Sequence, residues 1–156
     1  MPASQDEVVN AFQGVQDLEH VFAIVKISGT PYKTFWSEPG GKPHSHSHAE
    51  YFLAEELRHY DVEEGEIVEI DITLKWSPCG DCAMQLATLL QELRGKPHAN
   101  KLTMTIYYLA VYKGKAKSGL DPWEVLSTYG IPCKAYKNSV GGGWWPSSWH
   151  HYQGYY

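Results

Sequence analysis

The chain has 156 residues, enough for one domain with a sizeable hydrophobic core and no need of disulfide staples. Its 13 Lys and Arg stand against 18 Asp and Glu, a net charge of −5, which excludes the overall basic surface of a strong polyanion binder. No apolar run approaches the ~20 residues needed to cross a bilayer, and Met1 to Glu7 is polar and acidic, so neither a membrane span nor a secretory signal is expected.

In chain order, Ser4-Gln5-Asp6-Glu7 is a capping box opening a helix with Val8, Ala11, Phe12, Val15 and Leu18 on one face. Gly14 weakens that helix. Val21 to Ile27 is a β-branched run, Ser28-Gly29-Thr30-Pro31 a turn, and Tyr32 to Trp36 the returning strand of a hairpin. Glu38 to Ser47 is predicted as loop, because Pro39, Gly40, Gly41 and Pro43 forbid regular structure. A helix is expected from Ala49 to about Tyr60, with Ser47 as its N-cap.

Ile67 to Lys75 is the clearest strand, with Val68, Ile70, Ile72 and Leu74 on one face and Glu69, Asp71 and Thr73 on the other. Ser77 is expected to cap the next helix, with Pro78 at its first position, where a missing N–H costs nothing. Leu86, Leu89, Leu90 and Leu93 supply its buried stripe, and Gly95 ends it. Leu102 to Tyr112 is a long β-rich run, Lys113 to Gly119 a basic loop, Asp121 to about Tyr129 a short helix, and Ile131 to Tyr136 a last strand. A helix between the final two strands makes them parallel. The order α-β-β-α-β-α-β-α-β, without repeat or linker, predicts one layered α/β domain over residues 1–137. A Gly and aromatic tail follows at 138–156.

Charge is unevenly spread: residues 1–78 carry five Lys/Arg against fourteen Asp/Glu, and residues 79–156 carry eight against four. The acidic run Glu55, Glu56, Asp61, Glu63, Glu64 and Glu66 reads as a solvated helix end and turn. Lys113, Lys115 and Lys117, with Lys134 and Lys137, are either a local phosphate patch or solvated loop lysines. Any nucleic-acid contact is therefore expected to be modest and salt-sensitive. The tail aromatics Trp144, Trp145, Trp149, Tyr152, Tyr155 and Tyr156 either stack on single-stranded bases or cover apolar surface of the domain.

Only three cysteines occur, which fits a reducing, intracellular setting, cytoplasmic or nuclear. Cys133 reads as a small buried hydrophobe. The other two lie in Pro78-Cys79-Gly80-Asp81-Cys82, downstream of His48-Ala49-Glu50. One imidazole and two thiolates leave a tetrahedral zinc with an open fourth position, the arrangement of a catalytic site. A carboxylate two residues from the histidine can then work on a water held there. Cys79 and Cys82 share one face at a helix start, where the dipole favours thiolates.

Blander explanations exist for each part. Ser47 to Glu50 is also a capping box, and Cys79 with Cys82 could be half of a structural knuckle closed by Cys133, His44 or His46. His44 and His46 also compete with His48 for the ligand position; His48 is preferred because it alone is fixed on the helix two residues before Glu50.

Trp76-Ser77-Pro78-Cys79-Gly80-Asp81-Cys82, after His48-Ala49-Glu50, resembles the AID/APOBEC family of polynucleotide cytosine deaminases. The resemblance covers roughly residues 20 to 137 and extends to Leu109-Ala110-Val111-Tyr112 at the end of the fourth strand. It implies a cytidine-deaminase-like three-layer α/β/α fold with a five-stranded mixed sheet whose last two strands are parallel. It also implies that His48, Cys79 and Cys82 hold zinc and that Glu50 shuttles protons. Trp76 and Tyr112 would wall the cytosine pocket, with Ser77, Lys113 and Lys115 also on the substrate; the loop from Lys113 would set local sequence preference.

The implied reaction is hydrolytic deamination of cytosine to uracil in single-stranded DNA or RNA, with no membrane and no obligate protein partner. Three departures from the family pattern bear on substrate. An Asn common after the second strand is absent from Phe35-Trp36-Ser37-Glu38, the chain is acidic, and the aromatic tail replaces a C-terminal helix. Two other functions thus stay open: deamination of free cytidine or deoxycytidine nucleosides and nucleotides, and a non-catalytic zinc-stabilised binding module.

Overall fold

The computed structural model describes residues 1–15, 20–38, 48–112 and 118–136. The expectations for Leu18, for most of the 38–47 loop with His44, His46 and Ser47, for Lys113, Lys115, Lys117 and Lys137, and for the tail lie outside them.

Nine elements follow in the expected order: α1 (Gln5–Gln13), β1 (Phe22–Ile27), β2 (Thr30–Trp36), α2 (Ala49–Leu57), β3 (Val68–Trp76), α3 (Gly80–Arg94), β4 (Leu102–Ala110), α4 (Pro122–Thr128) and β5 (Cys133–Ala135). The Ser4 capping box is formed, with the hydroxyl accepting from the Glu7 N–H and the Glu7 carboxylate from the Ser4 N–H. Gly14 caps the C-terminus of α1, where a Cβ would meet the Trp36 ring at 2.7 Å. Ser28 and Gly29, both at positive φ, make a two-residue turn whose twist suits the β1–β2 hairpin.

The five strands form one sheet in the order β2-β1-β3-β4-β5. β1 pairs antiparallel with β2 and β3, while β3-β4 and β4-β5 are parallel, as a crossover helix between each pair requires. One face of the sheet packs Val25, Ile70, Ile72, Leu74 and Ile106 against Leu53 and Leu57 of α2, Leu86 and Leu90 of α3 and Leu126 of α4. The opposite face packs Phe22, Ile24 and Leu109 against Val8, Ala11 and Phe12 of α1. The result is the three-layer α/β/α arrangement with a five-stranded mixed sheet.

Several boundaries differ from the sequence-based expectation: β2 already starts at Thr30, inside the expected four-residue turn, and β4 ends at Ala110 rather than Tyr112. α2 ends at Leu57 rather than near Tyr60, because the Lys96 ammonium donates to the Arg58 and Tyr60 carbonyls at 2.7 and 2.8 Å and satisfies the chain end there. α2 is capped by His48, and α3 starts at Gly80 with Cys79 as its N-cap. Pro78 therefore precedes the helix, and Ser77 does not cap it. β5 shrinks to three residues at the sheet edge.

The polar face of β3 is covered too. Asp71, Thr73 and Lys75 are all buried. The Ala3 N–H donates to Thr73 Oγ1 at 3.0 Å, the Met1 ammonium pairs with Asp71, and Lys75 Nζ donates to the His20 carbonyl at 2.8 Å. Buried polar groups cost little once each has such a partner.

Candidate active site

Parallel pairing brings the C-terminal ends of β3 and β4 together, with Trp76 opposite Ala110. Ligand sites of open α/β sheets form at these carboxyl ends. Beyond them the starts of α2 and α3 meet. His48 Nδ1 lies 3.1 Å from Cys82 Sγ and 4.0 Å from Cys79 Sγ, and the three donor atoms all fall within 4.8 Å of one another.

Donor atoms of a tetrahedral ion with N and S bonds of ~2.0–2.3 Å stand about 3.6–3.8 Å apart. The observed spacings bracket that value, and the soft thiolates with a borderline imidazole suit such an ion. The trio could hold a metal. Cys133 does not belong to it, so among the described residues the site has three protein donors and no fourth. Cys133 instead packs half-buried against the core beside Ile131 and Leu126.

The caps explain how the chain builds this arrangement. Cys79 is extended, and its sulfur accepts the Cys82 N–H at 3.4 Å, so a residue of the trio itself closes the first turn of α3. The Cys82 thiol donates to the Cys79 sulfur, which together with His48 pulls the Cys79 thiol down to about 4 despite burial. Cys82, as the donor of that bond and fully buried, is pushed well up. One proton is thus shared by the pair, and binding of a cation releases it.

His48 caps α2 without a side-chain capping bond, which places Tyr51 rather than Glu50 at the third helical position. The capping-box explanation of Glu50 does not apply. Its carboxyl is 5% exposed and sits against Cys82. Burial pushes it up, and His48 and Cys82 only partly oppose that shift.

Trp76 and Tyr112 stack with ring centroids 5.8 Å apart and planes 19° from parallel, an aromatic wall at the strand ends. Lys75 sets its ammonium 4.8 Å from the Trp76 ring centroid. Ser77 is buried, and its hydroxyl oxygen accepts the Tyr112 N–H at 2.8 Å. That bond replaces the helix cap expected of it. Lys113 and Lys115 fall outside the described residues. The Ser77–Tyr112 tie had no signal in the sequence, since it joins residues 35 positions apart, just past the ends of β3 and β4.

The family model for the APOBEC3 cytosine deaminase domain matches residues 24–129. The chain belongs to that family. The matched stretch contains His48, Glu50, Trp76, Cys79, Cys82 and Tyr112.

Among solved structures, the dCMP deaminase of the cyanophage S-TIM5 in complex with dCMP and dUMP aligns with a TM-score of 0.51 and 18% identity, over 86% of this chain and 100% of that one. Its apo form aligns with a TM-score of 0.45 and 21% identity, over 74% and 79%. The complexed form establishes a shared fold. No curated protein sequence matches the chain. No helix among the described residues is long and apolar enough to cross a membrane.

Proposed function

We propose that the chain is a zinc-dependent deaminase that converts cytosine to uracil in single-stranded nucleic acid. The observation that carries this reading is the buried Glu50 carboxyl beside three converging donors, in a chain of the cytosine deaminase domain family. His48, Cys79 and Cys82 hold the zinc. When bound, the ion supplies the acidity that makes water a competent nucleophile near neutral pH.

Glu50 moves the protons. It takes one from the attacking water and delivers it to N3 of the ring, then carries the second, from the oxygen now on C4, to the amine that leaves. Water adds, ammonia departs, and cytosine becomes uracil. The raised affinity of a buried carboxyl for protons suits this double duty. Trp76 and Tyr112 stack against the ring, and Ser77 keeps Tyr112 in place. Lys113 and Lys115 meet phosphates of the flanking chain. A base must leave its stack to enter such a pocket, so a duplex interior is a poor substrate.

Free nucleotides are the second reading. The acidic balance and the exposed Glu38 at the end of β2 favour it, and dCMP deaminase shares the fold. Uracil formation from cytosine-containing single-stranded DNA and RNA, assayed beside dCMP at low salt, separates the two. The proposal expects kcat/KM for an oligonucleotide to exceed that for dCMP at least tenfold. The opposite order assigns the free nucleotide, and zinc-loaded protein inert towards all three would overturn deamination.

A further inference from the structure

Lys75 is the last residue but one of β3, immediately before Trp76, and its side chain is completely buried. Taking an ammonium out of water costs far more than burying the methylenes that carry it. An apolar side chain of the same length would fill the space without that cost. Packing alone does not account for a lysine here.

The ammonium has two close neighbours. Nζ donates to the His20 carbonyl at 2.8 Å and lies 4.8 Å from the centroid of the Trp76 ring. The first is a charge-assisted hydrogen bond, and the second falls within cation–π range. The same indole stacks on Tyr112, so the cation and the Tyr112 ring both bear on the orientation of one ring.

The carbonyl that receives the ammonium is itself fixed. The His20 ring stacks on Trp36 at 5.0 Å with planes 28° apart. Val21, the next residue, donates its N–H to Ser37 Oγ at 2.8 Å and accepts the Ser37 N–H at 2.9 Å. Trp36 meets the Phe22 ring edge-on at 5.9 Å, and Phe22 meets Phe12 of α1 at 5.2 Å. Lys75 therefore links the aromatic cluster beside α1 to the aromatic wall at the strand ends.

We propose that Lys75 is a positioning residue for the target base: its ammonium, anchored on the His20 carbonyl, holds the Trp76 indole by its π system, so the wall is set before the cytosine enters. This rests on the deaminase reading above, in which Trp76 stacks against the ring. Stacking on a ring that is already fixed avoids an ordering cost on binding. Loss of the cation should thus weaken affinity more than it slows the chemical step.

The test is a double-mutant cycle of Lys75→Met and Trp76→Leu in the zinc-loaded full chain. Lys75→Met keeps the length of the side chain and removes its charge and its donors. Affinity for a single-stranded DNA with one cytosine is read in a Glu50→Gln background, KM and kcat with Glu50 intact, and zinc by elemental analysis. Lys75→Met is expected to hold zinc and to raise Kd and KM about tenfold, the order of one desolvated cation–π contact. kcat should change less than threefold. In the Trp76→Leu background the same substitution should change Kd less than twofold, because the ring through which it acts is gone.

Wild-type Kd in Lys75→Met, whatever its melting temperature, would overturn the proposal by leaving the lysine a purely structural part. An equal loss of affinity in both backgrounds would overturn it as well. If Lys75→Met fails to fold, Lys75→Gln, polar but uncharged, takes its place in the cycle with the same expectations. Wild-type protein that binds the oligonucleotide without turnover defeats the deaminase reading while the Kd cycle still decides this one. Wild-type protein that does not bind it defeats both.

Discussion

Ser77 Oγ accepts the backbone N–H of Tyr112 at 2.8 Å, so the residue following Trp76 holds the residue whose ring stacks on Trp76. The Ser77 N–H in turn donates to the Ala110 carbonyl at 2.8 Å. The parallel β3–β4 ladder is thereby carried past its last residue by one hydroxyl, and the aromatic wall is built on that extension.

Ser77→Ala should therefore disturb the wall before it disturbs the fold. Removing the acceptor costs this hydrogen bond, about 1 kcal/mol. The expected result is a lower melting temperature with an increase in KM larger than the fall in kcat. Steady-state kinetics beside a thermal melt measures both, and an unchanged KM would separate Ser77 from the pocket.

Glu50→Gln keeps the shape of the side chain and removes its proton-accepting oxygen. Turnover should fall by ~10²–10⁴-fold, the usual worth of a general acid/base. Zinc content should stay that of the wild type, because Glu50 is not among the three converging donors. Elemental analysis with single-turnover uracil formation checks this; near-normal turnover would remove Glu50 from the mechanism.

The three thiols should differ sharply in reactivity once metal is stripped by a chelator. Cys79, pulled down to about 4 by the Cys82 thiol and His48, is a thiolate at neutral pH. Cys133, pushed up to about 12 by burial, is almost wholly protonated. A disulfide reagent at pH 7 should modify Cys79 well before either the fully buried Cys82 or the half-buried Cys133, and zinc should protect Cys79. Peptide mapping of the labelled protein reads the order; early labelling of Cys133 would contradict its placement against the core.

Acid should weaken the attachment of α1. Burial pushes the Glu7 carboxyl up, but the Ser4 N–H and hydroxyl and the Lys26 ammonium at 3.4 Å outweigh it and hold the carboxyl below its ordinary value of 4.5. A depressed carboxyl contributes stability that is present above about pH 4.5 and is lost as pH falls through the lowered value. Glu7→Gln should thus be less stable than wild type at pH 7, by about 1 kcal/mol for a partly exposed carboxylate beside the buried Lys26. The gap should narrow towards pH 3. Urea midpoints across that range measure it, and a constant gap would show that the carboxylate charge contributes nothing.

Much of this was legible from residue order because the rules involved are local. The Ser4 capping box, the leucine stripe of α3 and the crossovers that make β4 and β5 parallel depend on neighbours within a turn or on connection length. The spacing of His48 to Glu50 and of Cys79 to Cys82 likewise announces a candidate metal trio, since donors one helical turn apart share a face. Helix starts were displaced by one or two residues for a reason invisible locally. Cys79 caps α3 with its own sulfur, while the hydroxyl of Ser77 is drawn off to Tyr112, just past the end of β4.

Composition and spacing alone, then, determined the order of elements and the chemistry of the donor set. Tertiary structure decided what surrounds them: that the polar face of β3 lies buried under the N-terminal segment, that Cys133 stands apart from the metal trio, and that Leu120 occupies the space beside Gly80. Such contacts join residues tens of positions apart, so no periodicity records them; they exist only once the sheet has brought its strand ends together.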